Sequence, residues 1–488
     1  MKNFSLLLVF LSGVFTLFAQ DTLNYEWIMR RSSPLPFGNS EGWSIGTDAN
    51  ENIYWGVNQD MSGFQILMDA TVYKFDSDTN ELWMEHAVSD IYSQQSYNLK
   101  VTDSLIYLAG RTCSTLGVGN CQALLFTTDV VTGATQQITL WTQGNGYEEI
   151  DGIHFEPDGI ILTGWTRSAT TAMDVLILKV DYQGNEIWRK VWGSGVPNRD
   201  EHQDGHIVVD DSMIYVSGLY EGTPGLGFQG KALLAKFDKT NGNFVDSVLY
   251  GRNDLWINAE NALGMSTDGE FLYCTGVSTT APNNWDLFLT KYDKDLNQIW
   301  YTTWGGSEGE SARSVHVAND GNIYVVGNTE SYGNDSLNIA FIKFNQNGVE
   351  QWYKTWGGND SDQALDFHVY QDNFYITGKS QSTHPNGMWE AFLMKVNLNT
   401  LNANKLSEGN DYRIYPNPFS HQTTISFSNV NQNPVEFEIM DLAGNSVMKL
   451  KGITTDSIVV DRSDLSSGLY IFNIELNGIS ISGKLIIE

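Results

Sequence analysis

Basic residues are scarce in this chain. Its 488 residues hold 28 Lys and Arg against 58 Asp and Glu, a formal charge of −30. Phosphate backbones are held by basic patches, so this balance argues against a nucleic-acid partner. It argues equally against docking on anionic lipid. Cysteine is nearly absent, with three in all, and their spacing makes no zinc site. Cys113 and Cys121 flank the Gly-rich loop STLGVGN. A disulfide between them is expected in an oxidising compartment. Cys274 lies in the apolar run EFLYCTG and is expected as a buried thiol. After the first 19 residues no run approaches ~20 apolar residues, so no transmembrane segment is expected once a signal is removed. P-loop, G-x-G-x-x-G and nucleophile-elbow patterns are also missing.

Hydrophobic residues make up 41% of the chain and Trp occurs 15 times, which excludes a disordered polypeptide. Residues 1–19 (MKNFSLLLVFLSGVFTLFA) place one Lys before an apolar run that ends at Ala19. This reads as a secretory signal peptide.

Internal repetition dominates the rest. A strand-like motif closes on glycine at Gly56, Gly110, Gly164, Gly218, Gly276, Gly327 and Gly378, in steps of about 51–58 residues. Each is followed by an apolar run such as VLILKVD or AFLMKVN, then by a turn and a Trp-bearing strand such as NQNGVEQW. A fourth run, such as ARSVHVA, precedes the glycine motif. Four short strands repeated radially describe an all-β, seven-bladed β-propeller. The seventh unit lacks its last strand, and a spare one, YEWIMRR, lies at residues 25–31. The propeller over 20–397 is therefore expected to be closed by its N-terminal strand, which covers a sheet edge.

Units six and seven, WYTTWGGSEGESARSVHVANDGNIYVVG and WYKTWGGNDSDQALDFHVYQDNFYITG, resemble a bacterial β-propeller repeat. The turn before each Trp also resembles quinoprotein propellers. The adjacent cysteines of those enzymes are absent here, so that resemblance is one of fold.

A polar linker is expected at 398–410, and residues 411–488 then read as a small antiparallel β-sandwich. They resemble the type A sorting domain of the type IX secretion system. The resemblance rests on Tyr415-Pro416-Asn417-Pro418, the Asp441…Gly444 turn, the Gly468-Leu469-Tyr470 strand start and the terminus from Lys484. It implies export by the type IX secretion machinery through 411–488, with the product secreted or attached to the outer surface of a Gram-negative cell.

Candidate chemistry is sparse. A carboxylate or amide recurs before the first strand of each unit: Glu41, Gln95, Glu148, Glu201, Glu260, Glu310 and Asp362. Such a ring at a channel mouth suits a cation or sugar hydroxyls. Its bland alternative is capping of the loop's own N–H groups. His154, His316 and His368 occupy equivalent places and are expected to line a core or channel. His202 and His206 sit in EHQDGH without the pattern of a zinc protease. Asp76–Glu81 resembles the start of a calcium loop but falls where every unit turns. A recurring Lys (Lys74, Lys179, Lys236, Lys291, Lys343, Lys395) is expected to pair with a neighbouring blade or to snorkel outward. Trp165, Phe228, Trp256, Trp285 and Trp389 are candidates for stacking on sugars. The expected function is a non-enzymatic binding platform outside the cell, for a glycan or protein ligand, with calcium as a possible stabiliser and no other cofactor. The alternative is an extracellular polysaccharide hydrolase or lyase with its site at the acidic mouth.

Overall fold

A computed structural model describes the chain apart from residues 1–22, 36, 61–67, 88–91, 115–120, 143–145, 168–172, 194–200, 222–229, 251–260, 282–283, 335, 383, 385, 398–411, 416, 428–433, 442–444, 456, 463–464, 477–478 and 488. The expected signal peptide and linker, Phe228, Trp256, Glu260, Pro416 and Gly444 lie outside the described residues. So do the side chains of Glu201, His202 and Tyr415.

The described residues form strands and no helix. Up to residue 397 they make seven four-stranded antiparallel units, here numbered I to VII. Their first strands are Ser40–Thr47, Tyr92–Val101, Tyr147–Glu156, Glu201–Val209, Asn261–Thr267, Glu310–Val317 and Asp362–Tyr370. Units II and III are joined by a single parallel pair, Tyr147 opposite Cys121. This is the propeller-like all-β architecture that the repeat predicts.

Burial follows position within each sheet. The second strand is apolar on both faces because both faces are covered. Ile53–Asp60 and Ile323–Thr329 are buried at every residue. Fourth strands such as Glu81–His86 and Phe244–Tyr250 are largely exposed or half-buried. Successive sheets share apolar clusters. Ile177 of III packs with Val216 and Phe237 of IV, and Leu289 of V with Val325 and Ile342 of VI. Fully burying such a side chain stabilises by ~1.5–3 kcal/mol. Sheets VI and VII meet where the Ala364 N–H donates to Asn328 Oδ1 at 2.9 Å. Sheets VII and I meet where Trp55 Nε1 donates to Thr377 Oγ1 at 2.7 Å.

The strand Trp27–Arg31 forms the outer strand of sheet VII, beside Glu390–Asn397. Arg31 lies 2.6 Å from Glu81 of sheet I and over the Tyr73 and Phe75 rings. Hairpins between third and fourth strands reuse one device. Asp76 Oδ1 accepts the N–H groups of Asp78 and Asn80, and Oδ2 accepts from the Asn80 amide. Asp181–Asn185 and Asp293–Asn297 repeat it. The calcium-like run at Asp76 is thus an Asx turn.

Seven strands from Tyr412 to Ile487 make a three-stranded and a four-stranded sheet. Phe419, Ile425, Phe437, Ile439, Phe472 and Leu485 fill the core between them. Alternation puts these residues inward and their neighbours outward, as in the pattern BiBiBi over Val435–Met440. Asn417 Nδ2 donates to the Lys484 carbonyl at 3.0 Å, and its Oδ1 accepts the Ile486 N–H at 2.8 Å. One side chain therefore fastens the C-terminal strand. Tyr470 closes the strand start through a bond to the Ser466 carbonyl. Lys484 is exposed, and Gly468 is extended at φ 156°.

The chain divides into two compact units. One comprises Ile28–Val369 and Tyr375–Met394, the other Asn24–Trp27, Tyr370–Phe374 and Lys395–Glu488. No helix among the described residues is long and apolar enough to cross a membrane.

Candidate functional site at the channel mouth

The first strands of all seven sheets line a common channel. Its upper chamber, of about 350 Å³, is lined by Trp43, Tyr97, Glu149, Asp151, Asn261, Leu263, Arg313, Leu365 and Asp366, among others. Five of these residues share one backbone feature. The first strand is interrupted by a one-residue bulge at Trp43 in sheet I, Tyr97 in II, Asp151 in III, Leu263 in V and Arg313 in VI. A register shift falls between Gln203 and Ile207 in IV. Leu365 holds the corresponding place in the sequence of VII. A bulge re-aims a side chain that the pleat would send elsewhere. Here the repeat copies the bulge and leaves its side chain free to differ.

The recurring glycine reports the same bulge from the other strand. A Cβ on Gly110 would lie 1.8 Å from the Gln95 carbonyl oxygen, one on Gly164 2.0 Å from that of Glu149, and one on Gly276 1.8 Å from that of Asn261. At Gly327 and Gly378 the distances are 2.2 and 1.9 Å, to the oxygens of Ser311 and Gln363. The bulged strand leans into the space a side chain would need, so only glycine fits.

Around this mouth, aromatic and charged groups form a continuous ladder across sheets I to III. Trp43 meets Tyr97 edge-on at 5.0 Å. The Arg111 guanidinium lies 5.5 Å from the Tyr97 ring and 5.2 Å from that of Tyr147. Tyr147 stacks on Trp165 at 4.7 Å. Arg111 is held by Gln95 Oε1 at 2.9 Å and by Glu149 at 2.6 Å. Trp43 Nε1 donates to Glu41, whose other oxygen pairs with Lys379 at 2.7 Å. Burial, reinforced by the Glu149 carboxylate, holds the Tyr97 phenol well above its ordinary pKa. It therefore stays protonated at neutral pH and donates to Gln95. His206 Nε2 lies 3.4 Å from Asp366 Oδ1, which joins the strands of sheets IV and VII at the floor of the mouth. A lining of rings, guanidinium and fixed carboxylates suits a polyhydroxylated ligand. The rings stack on apolar sugar faces and the ions bond hydroxyls.

The expected carboxylate ring resolves into two positions one residue apart. Glu148, Glu310 and Asp362 stand three residues before the bulge place, with Ser40 and Gln94, and all five are buried. Glu310 accepts from the Gly306 and Ser331 N–H groups and the Thr329 hydroxyl. Asp362 accepts from the Gly358 N–H and the Ser382 hydroxyl. Glu148 accepts from Arg189 at 3.0 Å and is 1% exposed. Their described bonds go to the protein's own loops and strands. Glu41 and Gln95 stand one residue later, with Glu149. A slip of one residue moves a strand side chain to the opposite face, so only this second set borders the mouth. The bulge residues escaped the sequence reading because they share no residue type. The glycine that faces them was the available signal.

His154, His206, His316 and His368 line a second chamber deeper along the same strands. Cys113 and Cys121 form a disulfide across the second and third strands of sheet II. Cys274 is buried, and its thiol pKa is pushed up to about 12 by burial. Among the other candidate aromatics, Trp285 is exposed and Trp389 lies 4.7 Å from the Lys379 ammonium. The recurring Lys residues divide: Lys74 and Lys236 reach the next sheet, Lys291 and Lys343 lie over rings of their own sheets, and Lys179 and Lys395 pair with Asp158 and Glu26. Lys74 donates to the Val130 carbonyl of sheet II, and Lys343 lies over Tyr324. Among the described residues no group of three or more His, Cys, Asp or Glu is placed to hold a metal ion.

Residues 413–488 match the family described as secretion system C-terminal sorting domain. The chain is 26% identical over 129 residues to the regulatory protein FlaEY of Caulobacter vibrioides, a match covering 22% of this chain and 14% of that protein. Among solved structures it is similar to polysaccharide lyase Uly1, at 12% identity and a TM-score of 0.47, covering 73% of this chain and 90% of that one. It is also similar to the GH93 alpha-L-arabinofuranosidase of Fusarium graminearum, at 7% identity and a TM-score of 0.43, covering 78% and 98%.

Proposed function

We propose that this protein is an exported, seven-bladed β-propeller, closed by its N-terminal strand, that binds a saccharide in the mouth of its channel. The sorting tail at 413–488 indicates a secreted or cell-surface product, and in this reading the type IX machinery delivers it. The observation that carries the binding site is the bulge layer. A duplicated scaffold with no ligand would have no reason to aim Trp43, Tyr97, Asp151 and Arg313 from one backbone position into one chamber. Arg111 positions the wall of the mouth, because it joins two rings and two acceptors.

A second reading is cleavage of that saccharide. It is favoured by the His206–Asp366 pair in the same chamber as Glu149 and Asp151. An imidazole and carboxylates at one mouth supply general acid and base groups.

The experiment is retention of neutral and acidic polysaccharides by the purified full chain, with and without calcium, with product length measured in parallel. Retention of intact chains supports the binding reading, and shortened chains support the second. Arg111→Ala should weaken retention about tenfold, the loss of ~1.4 kcal/mol. If neither retention nor cleavage occurs with any polysaccharide, the saccharide reading fails and a protein ligand takes its place.

A further inference from the structure

The lower chamber, of about 470 Å³, has a chemistry opposite to that of the whole molecule. Three residues past the bulge place, the first strands carry Lys100, His154, His316 and His368. The corresponding residues of the other strands are Gly46, Val208 and Ser266, so this layer contains no carboxylate. The alternate residues Ile45, Leu99, Ile153 and Val315 are buried between sheets. Period-two alternation therefore keeps the Lys and His layer turned to the channel. Two acids border it. Asp366 is engaged by His206 one step above, and Glu156 lies 3.3 Å from His154 and 3.2 Å from Lys239. The Thr47 hydroxyl is 2.9 Å from His368 Nε2, Phe367 faces the His316 ring, and the Ser266 and Ser314 residues line the same chamber.

We propose that this chamber binds an oxyanion, a carboxylate or sulfate group, between the Lys100 ammonium and the imidazoles of His154, His316 and His368. The site goes beyond the saccharide reading and does not depend on it. Lys100 and three imidazoles face one cavity in which Asp366 is the single carboxylate of the described lining, so an anion there meets more donors than competing acceptors. Lys100 supplies a point charge, while imidazole N–H and serine hydroxyls supply donors on several sides.

By itself the chamber works against its own charging. Protein packed around its ammonium lowers the Lys100 pKa against the pull of Asp366, while the side chain as a whole is exposed to the channel. Burial also lowers His154 and His316. It brings His368 down to about 4, helped by the Lys100 ammonium and by His316 and opposed by Asp366. A bound anion reverses these shifts, so binding takes up protons and strengthens as pH falls.

The test is calorimetric titration of the full chain with sodium sulfate and, separately, with a uronate monosaccharide. Ionic strength is matched at about pH 4.5 and about pH 7.5; both anions keep their charge at both, and the lower value approaches the depressed pKa of His368. Affinity is expected to be several-fold higher at the lower pH. Lys100→Met should weaken it at least about tenfold at both. His368→Gln should flatten the pH dependence and leave the Lys100-dependent binding at the higher pH. Sulfate alone binding identifies an inorganic oxyanion, and tighter uronate identifies the carboxylate of a sugar; either supports the site. Absence of binding by both anions at both pH values overturns it. So does binding that neither Lys100→Met nor His316→Gln changes. His316→Gln decides the matter if Lys100→Met does not fold. Polysaccharide retention at the mouth reads out separately, so failure of one proposal is distinguishable from failure of the other.

Discussion

Two layers on the same seven strands differ in what repetition has kept. Three residues before the bulge place, the described side chains are Ser40, Gln94, Glu148, Glu310 and Asp362, polar in every case and buried. At the bulge itself they are Trp43, Tyr97, Asp151, Leu263, Arg313 and Leu365, with no type in common beyond two leucines. In the first layer Glu310 and Asp362 hold their loops to the strand, and Glu148 is tied to Arg189 within its sheet. The second faces open volume. Where the side chain is buried, every described copy is polar, though the residue type varies. Where it faces the cavity, the copies range from aromatic to charged to aliphatic. The comparison places the proposed saccharide site on the variable layer of a largely repeated backbone.

The largest effect should come from removing the backbone feature that both layers share. Gly276→Ala puts a Cβ 1.8 Å from the Asn261 carbonyl oxygen, a contact that neither strand can relieve by rotating a side chain. Overpacking of this kind costs ~1–3 kcal/mol and more where backbone must move. The thermal midpoint should fall further for this variant than for any below. A midpoint equal to the parent's would mean that the bulge is not rigid.

Next comes the structural layer. Glu310→Ala leaves the Gly306 N–H and the Thr329 hydroxyl without their acceptor, and the Ser331 N–H with only its 3.2 Å bond to Thr329 Oγ1. Each buried donor so orphaned costs ~1–3 kcal/mol, reduced by whatever water enters. A net loss of about 2–3 kcal/mol in urea unfolding is expected, with saccharide retention unchanged at temperatures where the protein is folded. Retention lost with stability intact would instead give Glu310 a direct part in binding and erase the distinction between the layers.

The sequence disclosed the scaffold well because burial and turns restrict residue type. Strands covered on both faces must be apolar, Asp-to-Asn turns need those side chains at fixed offsets, and five of the repeated glycines face a carbonyl oxygen that leaves no room for a Cβ. The N-terminal strand could be placed because its Trp pattern matched a gap in the seventh unit. The site was less legible. Glu41 and Glu148 look alike in a repeat alignment, yet one borders the mouth near Lys379 and the other is buried against Arg189. Only strand register separates them, and a bulge is the feature that shifts register. Arg111 and Tyr147 lie on different strands, and nothing in their spacing announces that one stacks on the other.

The smallest stability effect, and the sharpest test of the comparison, belongs to Leu263→Asn. Leu263 is the bulge residue of sheet V and lines the mouth, where it is partly exposed. The bulge is fixed by the backbone and by Gly276 on the facing strand, not by the leucine side chain. A polar replacement of similar reach should therefore change stability by no more than ~0.5 kcal/mol, as for a surface position away from caps and core. Its effect on retention should be disproportionate, because it replaces an apolar part of the chamber wall with an amide donor and acceptor. Saccharide preference should shift while the unfolding midpoint holds. If instead the midpoint drops by several degrees and preference stays the same, Leu263 is core, and the layer at the bulge is scaffold after all.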